Sequence, residues 1–161
     1  VEVDNSGLHG KIMSIEQVIR PWTVDEYEAK RYLGLSDMYD GAYNMQKIKE
    51  ITNWKYKFPA FGWCSQFGSD WYLPAFHEIN HLLSNKDVYN KVNNCLKKVG
   101  ATQLFTKSWF WQTSKHYCSS TEDIQGKITT AIDGVRIKFV PEVNWGGFKT
   151  DKFAVRAFAK F

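Results

Sequence analysis

The stretch "GSDWYLPAFHEINH", residues 68–81, decides how this chain is read. Its last five residues, His77 to His81, match the pattern H-E-x-x-H. In that pattern two histidines four apart share a helix face and can hold Zn²⁺, while the glutamate activates the metal-bound water. A catalytic zinc needs a third protein ligand. The extended pattern H-E-x-x-H-x-x-G-x-x-H places glycine at 84 and histidine at 87, where this chain has Ser84 and Asp87. A glutamate from a following helix would serve instead, yet "NKDVYNKVNNCLKKVG" (85–100) contains none.

The helical wheel separates the two readings. Pro74 belongs at a helix start. Successive residues turn by about 100°, so Ala75, Phe76, Ile79, Leu82 and Leu83 make one apolar stripe, with His77 and His81 on the far side. A peptidase turns its histidine face into a cleft, whereas this one faces solvent. The expectation is a surface helix with no metal role. A zinc-dependent hydrolase using His77, Glu78 and His81 is the alternative.

Working outward, the segment after this helix carries Val88, Val92, Cys95, Leu96 and Val99 on one face and closes at Gly100. Upstream, "TVDEYEAKRYLG" (23–34) offers a capping box of Thr23 with Glu26 and a stop at Gly34. "NMQKIKEITNWK" (44–55) predicts a helix with Asn44 as N-cap, and "PAFGWCSQFG" (59–68) one further helical turn. "HGKIMSI" (9–15) reads as an early strand. From Ser108 onward the composition turns to Trp, Phe, Tyr, Thr, Val and Ile between turn signals. Short antiparallel strands are expected near 109–113, 116–120, 128–132, 135–140 and 153–160. "FAVRAFAK" (153–160) alternates and could pair with the strand near residue 12. Helices first and strands afterwards indicate α+β.

Composition bounds the function. The 161 residues read as one domain, 1–161, able to bury roughly 68–70% of its extended-chain surface. Seven Trp, eight Tyr and eleven Phe are a rich supply that a core of this size need not hide entirely, and exposed Trp and Tyr would suit a recognition surface. The net charge of +4 is scattered, with no basic run beyond Lys97–Lys98, which argues against nucleic acid. No apolar run reaches the length of a membrane span. The chain begins at Val1 and not Met, which suits a leader or anchor already removed. Cys64, Cys95 and Cys118 show no C-x-x-C or zinc-ribbon spacing, and their odd count leaves at least one thiol free or paired with another molecule. Cys95 lies on the apolar helix face and is expected to be buried.

Three motifs now stand in order: "GSDWYLPAFHEI", "YCSSTED" and "FAVRAFAKF". Together they resemble a family of bacterial secreted or surface domains labelled as cell-adhesion proteins. Its pattern runs G-x-W-Y-L-P-S-x-x-E-L, then Y-W-S-S-T-E, then V-R-A-F. That family is related to the C-terminal domain of the Legionella collagen-like adhesin and to targets of diversity-generating retroelements, and its fold is that of C-type lectins. "HGKIMS" and "NMQKIKEITNWKYKFPAFGWC" resemble its N-terminal part, so the likeness spans nearly the whole chain. It implies that Glu78 and Ile79 are a structural E-L pair. It also implies that Leu73 and Pro74 turn a strand into a helix, with Trp71 and Tyr72 packed beneath. Cys118 stands where the family has tryptophan. Residues 123–152 lack the Asn-rich composition of diversified targets, and E-P-N, Q-P-D and W-N-D are absent, so calcium-mediated sugar binding is not implied.

The resulting expectation is a C-type-lectin-like α+β domain. It would be displayed outside the cell or on its outer surface, and would bind a glycan or protein without catalysis, cofactor or metal. Its ligand face would come from residues 123–152, with Arg136, Trp145, Phe148, Lys149 and Asp151 combining aromatic surface and charge. An oxidase of the formylglycine-generating type shares this broad fold, but its chemistry needs a reactive cysteine pair.

Overall fold

The computed structural model describes residues 2–3, 5–7, 9–104, 116–123, 128–131 and 146–161. The strands expected near 109–113 and 135–140, and the side chains of Arg136 and Trp145, lie outside these residues. In chain order the elements are β1 (Glu2–Val3), β2 (Gly10–Met13), β3 (Val18–Pro21), α1 (Glu26–Lys30), α2 (Gly41–Lys49), α3 (Trp54–Lys57) and α4 (Pro59–Cys64). A 3₁₀ turn (Ser65–Phe67), β4 (Trp71–Tyr72), α5 (Phe76–Ser84) and α6 (Lys86–Lys98) follow. The chain closes with β5 (Tyr117–Glu122), β6 (Ile128–Ala131), β7 (Gly146–Gly147), β8 (Lys152–Val155) and β9 (Phe158–Lys160). This is an α+β arrangement.

Two sheets form, in the orders β1-β2-β9-β4 and β3-β8-β5-β6-β7. The expected pairing of the C-terminus with residue 12 is present, with Ile12 opposite Ala159. The alternating run 153–160 is nevertheless two strands in two sheets. It breaks at Arg156 and Ala157, where Ala157 exchanges hydrogen bonds with Ser14 through its N–H to Oγ (3.0 Å) and its carbonyl to the Ser14 N–H (2.8 Å). The pairing of β5 with β8 is parallel, Tyr117 opposite Ala154, where an antiparallel ladder was expected. Pattern and propensity say nothing about strand direction, which depends on where the intervening chain runs.

Between the sheets and helices lies one apolar cluster. Trp22, Phe58 and Phe61 meet edge to face at 5.5, 5.0 and 6.1 Å between ring centres, the arrangement their quadrupoles favour. Met45 and Ile48 of α2, Ile79, Leu82 and Leu83 of α5, and Phe153 and Val155 of β8 complete it. Each such side chain contributes about 1.5–3 kcal/mol on burial.

Helix starts differ from the expected ones for a common reason: the side chains named as caps are needed elsewhere. Asp25, and not Thr23, caps α1 by accepting from the Tyr27 and Glu28 N–H groups. The Thr23 hydroxyl instead donates to the Lys57 carbonyl at 2.7 Å. Asp40 caps α2, which begins three residues before Asn44. Asn44 is buried inside that helix, where its amide donates to the Asp37 carbonyl (2.7 Å) and to Ser120 Oγ (3.0 Å). Cys95, expected to be buried, is exposed. On α6 only the narrow row of Val92 and Leu96 is buried, and Val99 is exposed as well.

Candidate functional site

The histidine helix begins against a close-packed corner. Pro74, Ala75 and Tyr72 are buried, and the first turn of α5 needs partners for its free N–H groups. Phe76 N–H donates to Thr121 Oγ1 (3.1 Å) and His77 N–H to the Met38 carbonyl (2.8 Å). Glu78 turns back and accepts from the Ala75 N–H (2.8 Å) and from the Gly41 N–H at the start of α2 (3.0 Å). Its second oxygen takes the Tyr72 hydroxyl (2.9 Å) and Lys11 Nζ (2.8 Å). Burial, with the Glu78 charge beside it, pushes the Tyr72 phenol well above its ordinary value. Both Glu78 oxygens are therefore engaged in structure, and neither is left to deprotonate a metal-bound water. His77 lies flat against Tyr39 (4.3 Å, 16° between planes), while His81 is exposed on the next turn. Among the described residues no group of three His, Cys, Asp or Glu is placed to hold a metal.

Strand β5, "YCSSTE", is buried along its whole length, which explains hydroxyl residues in a strand interior. Several of its polar groups are taken by other segments. The Ser119 carbonyl accepts from Trp22 Nε1 (3.1 Å), Ser120 N–H donates to the Pro74 carbonyl (2.8 Å), and Thr121 Oγ1 donates to the Asp37 carbonyl (2.9 Å). Glu122 closes the strand: its carboxylate accepts from the Leu33 and Leu35 N–H groups, both at 3.0 Å, and pairs with Lys149 Nζ.

Lys149 thus occupies a place the sequence did not announce. Named as a ligand-facing residue, it is 2% exposed. Its ammonium pairs with Glu122, donates to the Arg31 carbonyl (2.5 Å) and sits 4.8 Å from the centre of the Trp22 ring. Burial pulls it below its ordinary value, and Glu122 pulls the other way. Its own carbonyl accepts from the Thr23 N–H at 2.9 Å. Lys149 is a peg that docks the loop onto residues 23–31. Asp151 shapes the same turn, accepting from the Phe148 N–H (3.2 Å) and returning its own N–H to the Phe148 carbonyl (2.9 Å). Phe148 alone of the described candidates projects outward, 68% exposed.

The V-R-A-F arginine is structural too. Buried Arg156 donates to the carbonyls of Ser14 (3.0 Å), Ile15 (2.9 Å) and Thr102 and reaches Gln17 Oε1 (3.3 Å). Burial lowers its pKa, with Tyr117 opposing. Cys64 and Cys118 are free and buried, and burial pushes both thiols well up, so neither is a ready nucleophile.

The segments near this loop carry exposed apolar and aromatic side chains. Val24, Tyr27, Tyr32, Tyr43 and Tyr56 are exposed. The Val24 N–H bonds to the Lys57 carbonyl (2.9 Å), so residues 148–151, 23–24 and 56–57 run side by side. Arg31 lies over Tyr27 (5.5 Å) and Lys47 over Tyr43 (4.9 Å). An open hollow of about 460 Å³ between α2 and the segment after α1 is lined by Tyr32, Leu33, Leu35, Tyr43 and Lys47. The tyrosine surplus in the composition was the only advance sign of this rim.

With that geometry in hand, comparison with known proteins adds one observation. No protein family profile matches the chain, and no curated protein matches it. Among solved structures, a fimbrial protein from Bacteroides ovatus superimposes with a TM-score of 0.56 at 18% identity. The alignment covers 94% of this chain and 36% of that one, so this chain spans about a third of its length. The likeness is one of fold.

Proposed function

We propose that this chain is a binding module of a bacterial surface structure: one C-type-lectin-like domain over residues 1–161, acting in adhesion without catalysis. The observation that carries the reading is the division of its side chains. One charged residue in each of the three sequence motifs, Glu78, Glu122 and Arg156, is buried and occupied in holding segments together. Meanwhile a tyrosine-rich rim with Phe148 at its edge is left in water. Aromatic side chains beside Arg and Lys are the chemistry of binding hot spots. The fold shared with a fimbrial protein supports an extracellular or outer-surface location, and no helix among the described residues is long and apolar enough to cross a membrane.

The ligand face comprises Phe148 together with Arg136 and Trp145 from the same stretch of sequence. Asp151 and Lys149 hold the loop in place. Screening the purified chain against immobilised glycans and extracellular-matrix proteins tests this, with Phe148→Ala and Trp145→Ala variants in parallel. Binding to one class, lost in those variants with the melting temperature kept, is the expected result. Turnover of a peptide library with no binding to either class would overturn it.

A further inference from the structure

The hollow beside the histidine helix is separate in its residues from the Phe148 rim. It measures about 410 Å³ and opens between β2, β9 and α5, within the range of roughly 300–1,000 Å³ usual for small-molecule sites. Buried Leu82 and Phe158 line it on the apolar side. Around them stand the Asn80 amide, the Ser84 hydroxyl, the His81 imidazole and the Lys11 ammonium. Lys11 Nζ gives one bond to Glu78, and an ammonium has three to give.

Tyr39 forms the wall. It is 69% exposed, yet it is held in place from three sides. Its N–H donates to Asp37 Oδ1 (2.8 Å), the neighbouring Met38 carbonyl accepts from His77 N–H (2.8 Å), and one ring face is stacked on the His77 imidazole at 4.3 Å. A large aromatic ring fixed at the edge of a polar hollow, with its other face toward water, has a specific chemical complement. Pyranose sugars carry one face of polarised C–H bonds and an edge of hydroxyls. The negative face of an aromatic ring attracts the first, and mixed donors and acceptors satisfy the second. A purely apolar ligand would leave Asn80 and Ser84 unpaired. A bare anion would have no use for Tyr39.

We infer that this hollow binds one pyranose unit, its C–H face on Tyr39 and its hydroxyls toward Asn80, Ser84 and Lys11, without calcium. The recognition groups are all side chains of the protein, so chelator should not affect binding.

Saturation-transfer NMR on the whole chain tests this, using the methyl glycosides of glucose, galactose, mannose and N-acetylglucosamine singly, with and without EDTA. At least one should bind with a Kd in the millimolar range, on the order of −4 kcal/mol, and EDTA should leave it unchanged. Tyr39→Ala should weaken it about tenfold, the size of one lost stacking contact. The Asn80→Ala/Ser84→Ala double variant should weaken it several-fold by removing about one hydrogen bond's net energy. Both changes are near the surface, and a retained melting temperature shows that the loss is not unfolding. Val99→Ala, an exposed change outside both surfaces, should leave binding unchanged. No binding by any of the four sugars, full binding by Tyr39→Ala, or a requirement for calcium would each overturn the inference. So would binding that is lost in Phe148→Ala and kept in Tyr39→Ala, which would assign the sugar to the rim.

Discussion

The ion pair of Glu122, at the end of β5, with Lys149 and the exposed ring of Phe148 beside it in the chain have opposite roles. Glu122 and Lys149 are both removed from water, and each is surrounded by partners it needs. One residue before Lys149, Phe148 stands in solvent with no ring partner among the described contacts. Charge is inside and aromatic surface outside, the reverse of the usual allotment. The physical meaning of the two regions therefore differs. A buried ion pair adds little net stability over an apolar replacement but is costly to break. An exposed aromatic costs little to remove and is worth most when a partner covers it.

Perturbing one region should therefore unfold the protein and perturbing the other should silence it. Glu122→Ala leaves the Lys149 charge and two backbone N–H groups without their acceptor, and should cost about 3–5 kcal/mol. That is a fall in melting temperature of roughly 10 °C at about 2–4 °C per kcal/mol, read by circular dichroism. Replacing both partners, Glu122→Leu with Lys149→Met, should recover a substantial part. An unchanged melt for the single variant would break the comparison at its centre.

Gly41→Ala probes the packing that positions Glu78. A Cβ there would press on the Leu73 carbonyl and come within 2.7 Å of the Ala75 nitrogen. The loss should be about 1–3 kcal/mol in a urea titration, since both contacts are backbone and cannot swing away.

A smaller effect belongs to Asp40. Burial raises its pKa, but hydrogen bonds from Lys160 and from the Tyr43 N–H outweigh that and hold it below its ordinary 3.8. The stability it supplies is present in full above pH 3.8 and is lost as pH falls through the lowered folded value. Asp40→Asn should flatten that acid limb, by about 0.2–1 kcal/mol given its partial exposure. A limb of unchanged slope would show that other carboxylates carry it. Smallest of all in stability is Phe148→Ala, within about 0.5 kcal/mol of the parent, while ligand capture in the screen described above is lost. A variant that melts early would move Phe148 to the structural side.

Much of the fold was legible because local patterns and burial agreed. The α5 stripe Ile79, Leu82 and Leu83 is buried as the wheel requires, Gly100 takes the left-handed conformation that ends α6, and β9 pairs with β2. Two of the residues misread, Asn44 and Lys149, answer to partners the fold brings to them, while Cys95 was misread from the width of a helix face. Asn44 looks like a cap but is drawn into the interior by Asp37 and Ser120. Cys95 sits on an apolar face that α6 does not use. Lys149 looks like surface charge in "GGFKTD" because Glu122, which pairs with it, lies far back in the chain.

By itself the sequence determined where the longer helices fall, the apolar face of α5 and the presence of an aromatic surplus, since these depend on composition and on neighbours within a turn or two. Tertiary structure alone decided that β5 runs parallel to β8 and that Glu78, Glu122 and Arg156 are occupied indoors. It also decided that Tyr39 and Phe148 remain in water. Those outcomes rest on contacts between residues far apart in the chain, where a side chain's role is set by what the fold brings to it.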